Sequence, residues 1–178
     1  GELVINEIMY DPSELADDKA EWVELKNVSD RTLQLDGCFF VNGNGLSNME
    51  SDGLALANLS VPPQGYLLLG RTLDTALNGG ITPDLTFDFN LGNGGDELYV
   101  ICGDIQVDVV GYDDGMTFPN AKGFSIIKNE EGRWCPSTSV YANNSGERGT
   151  PGAPNDMCEP LESPSCWAQI DCELDKVC

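Results

Sequence analysis

Three glutamates near the start of the chain have the residue type and spacing that acid–base chemistry needs. Glu7 lies in "INEI" (5–8), and Glu21 and Glu24 lie in "EWVELKN" (21–27). Both segments have the β-rich pattern of strands, so pairing them would bring Glu7 near Glu21 or Glu24. Two carboxyl groups about 5 to 10 Å apart are the catalytic pair of most glycoside hydrolases. The three carboxylates could have one of three roles: catalysis, binding of a cation, or stabilisation of the fold.

Composition argues against catalysis. The chain contains no histidine, which excludes Ser-His-Asp and Cys-His nucleophiles, histidine-ligated zinc hydrolases and histidine general bases. Only carboxylate chemistry remains. The strand pattern described below predicts a β-sandwich of about 155 residues, which leaves little material for a substrate cleft. The sequence also has no acidic stretch lined by aromatic residues. We therefore predict that the protein is not an enzyme and has no catalytic residues.

A structural ion pair is the first interpretation of the glutamates. Carboxylates that meet in a protein interior need hydrogen-bond donors or a cation. Arg148, in "ERGTPGAPN" (147–155), is the candidate counterion, because a guanidinium can bind carboxylates in a bidentate manner. The sequence thus predicts that Arg148 pairs with Glu7 and Glu24 and fixes the last segment to the first strands.

Calcium binding is the alternative interpretation. Calcium takes six to eight oxygen ligands, which loops rich in aspartate and asparagine can supply. The candidate ligands are Asp11, Asp17, Asp18 and Glu21 in the first loop, or Asp108, Asp113 and Asp114 further on. The "DDG" at 113–115 lacks the flanking ligands of an EF-hand loop. Calcium is the one cofactor that the sequence suggests.

The net charge limits the partners. The chain has 30 acidic and 9 basic residues and a formal charge of −21. This field repels nucleic acid, whose binding depends on lysine and arginine, and it concentrates cations at the surface. No apolar stretch approaches the roughly 18 to 20 residues of a transmembrane helix. We expect neither nucleic-acid binding nor a transmembrane segment.

Short apolar runs separated by turn residues predict an all-β sandwich. The candidate strands are Leu3–Ile8, Trp22–Lys26, Cys38–Val41, Tyr66–Leu69, Leu98–Cys102, Ile105–Val110 and Phe124–Ile127. In "LYVICGDIQVDVV" (98–110), Gly103 and Asp104 fit a two-residue hairpin turn. A tight turn would place Cys102 opposite Ile105 and Leu98 opposite Val109, which makes one face of the hairpin apolar.

Seven cysteines indicate an oxidising, extracellular or cell-surface location. They are Cys38, Cys102, Cys135, Cys158, Cys166, Cys172 and Cys178, without a CxxC pair that would suggest a zinc ribbon or a redox site. Cys38 and Cys102 could form an inter-sheet disulfide or remain two buried thiols, and Cys135 could bond Cys158. The odd count leaves one thiol for an intermolecular disulfide or for a partner beyond Cys178.

The composition changes after "RGTPGAPN" (148–155), where prolines and glycines end the strand pattern. Four of the seven cysteines follow within residues 156–178. So short a segment cannot bury a core of its own. We therefore divide the chain into a β-sandwich at 1–155 and a short disulfide-rich tail, or the start of a cysteine-rich repeat, at 156–178.

Six blocks, in order, resemble the lamin tail domain family in its bacterial secreted form. They are "LVINEIMYDP", "EWVELKNVSDRTLQLDGCFFVN", "PPQGYLLLGR", "FNLGNGGDELYVI", "VDVVGYD" and "RGTPGAPN". The resemblance covers residues 1–155 and implies an immunoglobulin-like β-sandwich. Such domains are modules of larger secreted or surface proteins, beside nucleases, phosphatases or adhesive repeats. The resemblance transfers no catalytic residue, and it does not extend to the tail.

The expected function is that of a non-catalytic extracellular interaction or structural module, for adhesion, scaffolding or assembly, stabilised by calcium if the acidic loops bind it. Its partners would be another protein or neighbouring modules of a larger extracellular protein. The alternatives are a carbohydrate-binding module or an accessory domain of a secreted hydrolase. A carbohydrate-binding module would bind glycans through an exposed tryptophan.

Overall fold

A computed structural model describes residues 1–113, 115–141 and 146–159. The described part of the chain is built mainly of strands. The strands are β1 (Leu3–Met9), β2 (Trp22–Asn27), β3 (Leu33–Gln34), β4 (Cys38–Asn42), β5 (Leu54–Ala55), β6 (Ser60–Val61), β7 (Tyr66–Gly70), β8 (Leu85–Thr86), β9 (Asp96–Cys102), β10 (Ile105–Tyr112), β11 (Ile126–Lys128) and β12 (Trp134–Pro136). The helices are α1 (Asp17–Ala20), α2 (Met49–Asp52) and a 3₁₀ helix (Gly43–Asn48).

Two main sheets form the sandwich. One has the strand order β12-β11-β1-β2-β7-β8, the other has the order β10-β9-β4-β5, and β3 pairs with β6. The predicted all-β sandwich is confirmed, and each of the seven predicted strands is present with shifts of one or two residues at its ends. Within the described ranges, no helix is long and apolar enough to cross a membrane.

The six-stranded sheet is buried on both faces. On its inner face, Ile5 and Leu25 join a core that includes Phe40 and Val100 of the other sheet. On its outer face, Trp22 belongs to a second apolar cluster, with Met9, Leu68, Ile81 and Tyr141. Strands covered on both faces have apolar residues in both registers. This explains why "EWVELKN" does not alternate cleanly, and it means that any acid in β1 or β2 is buried.

The β9–β10 hairpin differs from the predicted register. Ile105 lies opposite Cys102 as predicted, but a bulge between Gln106 and Asp108 shifts the pairing by one residue. Val110, rather than Val109, therefore lies opposite Leu98. Val109 is 39% exposed, whereas Val110 is buried. A bulge adds one unpaired residue and so reverses the faces beyond it, which a period of two cannot predict.

The structure contains the disulfide Cys38–Cys102, but the bond does not join the two sheets. Cys38 and Cys102 lie directly opposite each other on β4 and β9, which are neighbours in the four-stranded sheet. The predicted inter-sheet bridge is therefore wrong, because β9 pairs with β4 and the two cysteines are in register. Cys135 on β12 bonds Cys158 as predicted. Residues 160–178 of the predicted tail, with Cys166, Cys172 and Cys178, lie outside the described residues.

Candidate functional site

The candidate site is built where the last described segment crosses β1 and β2. We call residues 149–156 the closing segment. It follows Arg148, whose backbone N–H donates to the carbonyl of Gly123 and whose carbonyl accepts from the N–H of Ser125, each at 2.8 Å. Glu7 of β1 and Glu24 of β2 are cross-strand partners that contact the closing segment. The sequence-based expectation that Glu7 lies near Glu21 or Glu24 thus holds for Glu24.

Glu7 is completely buried and accepts three hydrogen bonds. Its Oε1 atom accepts from the backbone N–H of Thr150 at 2.7 Å and from the Ser125 hydroxyl, and its Oε2 atom accepts from the Thr150 hydroxyl at 2.7 Å. Burial raises the pKa of Glu7 to about 7, although the hydrogen bonds from Ser125 and Thr150 act in the opposite direction. Both oxygens are therefore engaged within the protein.

Glu24 is also completely buried and is held in the same manner. Its Oε2 atom accepts from the backbone N–H of Gly152 at 2.5 Å, and its Oε1 atom accepts from the side-chain amide of Asn6 at 2.7 Å. Burial, followed by the neighbouring charge of Glu7, raises the pKa of Glu24 to about 8. The two glutamates thus bind the N–H groups of Thr150 and Gly152, which belong to the same turn of the closing segment.

A close approach at Gly149 and a left-handed backbone conformation at Gly152 set the path of the closing segment. A Cβ atom on Gly149 would lie 2.8 Å from Cζ2 of Trp22 and 3.2 Å from Oε1 of Glu7, so no larger residue fits there. Gly152 has a φ of +77°, which other residues rarely adopt. Both glycines of "GTPG" (149–152) thus have a physical reason in this fold.

Two more polar side chains, which sequence reasoning did not identify, fix the end of the closing segment. The Asn155 amide donates to the carbonyls of Asn6 at 3.1 Å and Lys128 at 2.9 Å. Asp156 accepts from the backbone N–H groups of Thr138 at 2.7 Å and Ser139 at 2.8 Å, and from nearby hydroxyls. Burial alone would raise the pKa of Asp156, but the hydrogen bonds from Ser139, Ser137 and Thr138 prevail and lower it.

Arg148 does not neutralise the glutamates, in contrast to the predicted ion pair. Its guanidinium donates to the carbonyl of Thr138 at 2.6 Å and lies 5.4 Å from the ring centroid of Phe124. Among the described residues, no salt bridge joins Arg148 to Glu7 or Glu24. The carboxylate oxygens of Glu7 and Glu24 already accept hydrogen bonds from other donors. The Arg148 side chain instead extends towards Thr138 and Phe124.

Glu21 lies at a different place from Glu7 and Glu24. Its Oε2 atom accepts from the backbone N–H of Leu91 at 3.2 Å and is 3.5 Å from the guanidinium of Arg71. Burial raises the pKa of Glu21 to about 8, whereas the Leu91 hydrogen bond and the charge of Arg71 lower it. Glu21 precedes β2, so it does not share the register that brings Glu7 and Glu24 together.

The acids of the first loop are spread over separate contacts. Asp11 pairs with Lys122 at 3.2 Å and Asp18 with Lys19 at 2.7 Å, and Asp17 accepts from Asn93 at 3.0 Å. Asp17, Asp18 and Glu21 line an open cleft of about 720 Å³ with Asn90 and Asn93. In the described ranges, no three acidic or cysteine side chains are positioned to hold a metal ion. Calcium binding by this loop stays a prediction.

The second predicted calcium loop supports the fold locally. The Asp108 carboxylate accepts from the backbone N–H of Ile5 at 2.8 Å and so joins the bulge of β10 to β1. Asp113 accepts from the backbone N–H groups of Thr117 and Phe118, each at 2.9 Å. The hydrogen bond from the Thr117 side chain leads the causes that lower the pKa of Asp113. Asp114 lies outside the described residues.

A concave cleft of about 470 Å³ lies beside the closing segment. Tyr66 and Tyr141 contribute aromatic rings, and Thr82 and Asp84 contribute polar groups. Its remaining lining residues are Leu68, Gly80, Ile81, Pro151 and Gly152. The volume of the cleft lies within the range of small-molecule sites. Sequence reasoning missed it, because its lining comes from four separate parts of the chain.

A scan against protein-family models gives no match for this chain, and a search of curated proteins gives none either.

Replacing Thr150 by valine tests the role of Glu7. The Thr150→Val substitution keeps the shape of the side chain but removes the hydroxyl donor to Oε2 of Glu7. We expect the free energy of unfolding at pH 7 to fall by about 1 to 3 kcal/mol, the usual cost of a buried polar group that loses its partner. Denaturant unfolding measures this change.

The matched control is Thr86→Val, at an exposed position of β8, where surface substitutions change stability by about 0.5 kcal/mol or less. Equal stabilities of the two variants would show that the Thr150 hydroxyl does not support Glu7.

Proposed function

We propose that this domain is a non-catalytic interaction or structural module of an extracellular protein or assembly, of the lamin tail type. The order of the six sequence blocks supports the family, and the strand-built sandwich agrees with it. The two disulfides within the described part of the chain support an oxidising location. The proposed partners are a protein or the neighbouring modules of the same assembly.

The engagement of Glu7 and Glu24 is the observation that carries this proposal. These are the residues best placed in the sequence for carboxylate chemistry, yet their oxygens accept hydrogen bonds from Thr150, Gly152 and Asn6. Both side chains are buried completely. A general acid must instead reach a substrate oxygen within hydrogen-bond distance. Their chemistry serves to close the sandwich.

An activity screen tests the absence of catalysis. Nitrophenyl glycosides and nitrophenyl phosphate are incubated with the protein between pH 4 and 9, and release of nitrophenol is measured. Because the carboxylates are engaged internally, we expect release no faster than in the buffer blank. Turnover that disappears in Glu7→Gln or Glu24→Gln would overturn the proposal.

Calcium is the proposed stabilising ion; because no three acidic side chains of the described residues converge, its binding at the cleft lined by Asp17, Asp18 and Glu21 would require these side chains to rearrange. A ligand at a hundred times its dissociation constant adds about 2.7 kcal/mol to the free energy of unfolding. For a domain of this size we expect the midpoint of thermal unfolding to rise by roughly 5 to 10 °C in saturating calcium relative to a chelator. Circular dichroism measures the midpoint.

The double variant Asp17→Asn and Asp18→Asn should lose most of the calcium shift. The matched control is Asp36→Asn, which removes an exposed carboxylate in another loop and should keep the shift. If calcium leaves the wild-type midpoint unchanged, the proposal loses its cofactor but keeps the structural role.

Carbohydrate binding is a second candidate function, and the cleft beside the closing segment favours it. Aromatic rings can pack against the apolar face of a sugar, and Thr82 and Asp84 are exposed polar groups that hydroxyls can reach. The net charge of −21 disfavours anionic ligands. A neutral oligosaccharide is therefore the ligand class that fits.

Calorimetric titration with cellotriose, maltotriose and N,N′-diacetylchitobiose tests this candidate. We expect saturable binding of one of these sugars, weakened at least about tenfold by Tyr66→Ala, since truncating an aromatic anchor at the centre of a binding site typically costs about 2 kcal/mol or more. Tyr99→Ala is the control, because Tyr99 is a partly exposed tyrosine on the other sheet. Absence of saturable binding to all three sugars would remove the carbohydrate candidate.

A further inference from the structure

We propose that the edge of the larger sheet at β8 is a docking site for an extended strand of a partner protein, in which basic residues alternate with apolar ones. The partner strand lies beside residues 84–90 as a further strand of the six-stranded sheet. Under the proposed function as an interaction module, on which this inference rests, β8 is the surface that meets the partner.

The other outer strands of the two main sheets are protected. β12 ends at Pro136, and the Cys135–Cys158 bond ties it to the last described residues. β10 contains the bulge, and its Asp108 carboxylate binds the N–H of Ile5. β5 follows α2, which contacts it. Prolines, bulges and covering elements are means by which proteins protect sheet edges. In the described ranges, β8 has neither a bulge nor a disulfide, and no strand pairs with its outer side.

Two N–H groups of this edge point away from the sheet. Thr86 pairs with Gly70 of β7 in parallel register, and the N–H of Phe87 donates to the carbonyl of Gly70 at 3.0 Å. Because successive N–H groups of an extended chain point to opposite sides, those of Thr86 and Asp88 point away from β7. Both residues are exposed. Unpaired N–H and carbonyl groups at a sheet edge can pair with a strand from another chain.

The exposure of residues 84–90 alternates, which determines the pattern of the partner strand. Leu85, Phe87 and Phe89 face the core, and of these Leu85 and Phe89 are partly exposed. The exposed side chains of the opposite face are Asp84, Thr86, Asp88 and Asn90. A neighbouring strand places its side chains on the same two faces with the same alternation. Apolar residues of the partner therefore extend the core at Leu85 and Phe89, and its alternate residues lie beside the two aspartates.

The acidic cleft continues this edge. Its lining includes residues 90–93, which directly follow the edge, together with Asp17, Asp18 and Glu21. Two residues of extended chain span roughly 7 Å. A strand that pairs with Thr86 and Asp88 therefore reaches the cleft within a few residues, and a long basic side chain of that strand can enter it.

The charge at this edge favours a basic partner over a second copy of the chain. The cations beside the cleft already have acidic partners, since Lys19 pairs with Asp18 and Arg71 lies 3.5 Å from Glu21. The Arg71 side chain is also buried. A second copy would bring the same acids and a formal charge of −21 to the interface. Lysine or arginine beside the aspartates instead removes repulsion between them.

An NMR titration with the peptide acetyl-KVKVKV-amide tests the proposal. The full chain with intact disulfides is titrated at low salt in the presence of a chelator, so that calcium does not occupy the cleft. We expect saturable shifts of the amide signals of residues 84–90. Hydrogen-exchange protection of the Thr86 and Asp88 amides should rise at least about fivefold near saturation, because both gain an acceptor. The control peptide acetyl-EVEVEV-amide should give no saturable shifts, since its charge is repelled.

The variant Thr86→Pro removes one outward N–H and keeps the bond from Phe87 to Gly70. Proline is tolerated at an edge where its missing N–H faces solvent. We expect the affinity for acetyl-KVKVKV-amide to fall at least about tenfold, because the edge loses a donor and gains a ring where the peptide lies. The matched control is Thr86→Val, which keeps the N–H and should bind within about twofold of the wild type.

The exchange measurement on the wild-type protein decides the matter if Thr86→Pro does not fold. Absence of saturable shifts, shifts centred on β5 or β10, or binding without added protection at Thr86 and Asp88 would overturn the docking site. Equal affinities of folded Thr86→Pro and Thr86→Val would do the same. Each of these results leaves the proposed function in place with another surface, whereas turnover in the nitrophenol screen contradicts the proposed function itself.

Discussion

The burial of two adjacent carboxyl groups is the constraint on which the rest of this structure depends. Glu7 and Glu24 occupy paired positions at the centre of the larger sheet, where an unpartnered charge would be strongly destabilising. Their hydrogen-bond partners include residues 143 and 128 positions later in the chain. The first strands are therefore complete only when the closing segment is in place. This long-range dependence joins the two ends of the sandwich into one cooperative unit.

Much of the fold could be predicted because the relevant signals are local. Apolar runs and turn residues indicated the seven strands, and the Gly103–Asp104 turn indicated the β9–β10 hairpin. The bulge after Gln106 could not be predicted, since it depends on how β10 meets β1 and on the bond between Asp108 and Ile5. Nor could the position of the Cys38–Cys102 bond, because sequence does not specify which strands become neighbours.

The sequence predicted which acidic residues form the candidate site, but it did not predict their hydrogen-bond donors. Strand pairing predicted that Glu7 lies near Glu21 or Glu24, and the register of β1 and β2 selects Glu24. The donors are mostly backbone N–H groups, as at Thr150 and Gly152, and these leave no side-chain signature. Arg148 was the natural side-chain partner by charge. The structure instead satisfies the carboxylates with hydrogen-bond donors, and their burial raises the pKa values of both groups.

The bond between Cys135 and Cys158 also sets how the domain would carry mechanical load. Tension applied to the chain beyond Cys158 passes through the disulfide into β12, at the edge of the larger sheet, and from there through β11 to β1. Residues 149–156 lie on a parallel covalent path that the disulfide bypasses. The closing segment therefore carries no tension. A force applied to the chain after Cys158 is transmitted to the larger sheet without first breaking the hydrogen bonds to Glu7 and Glu24.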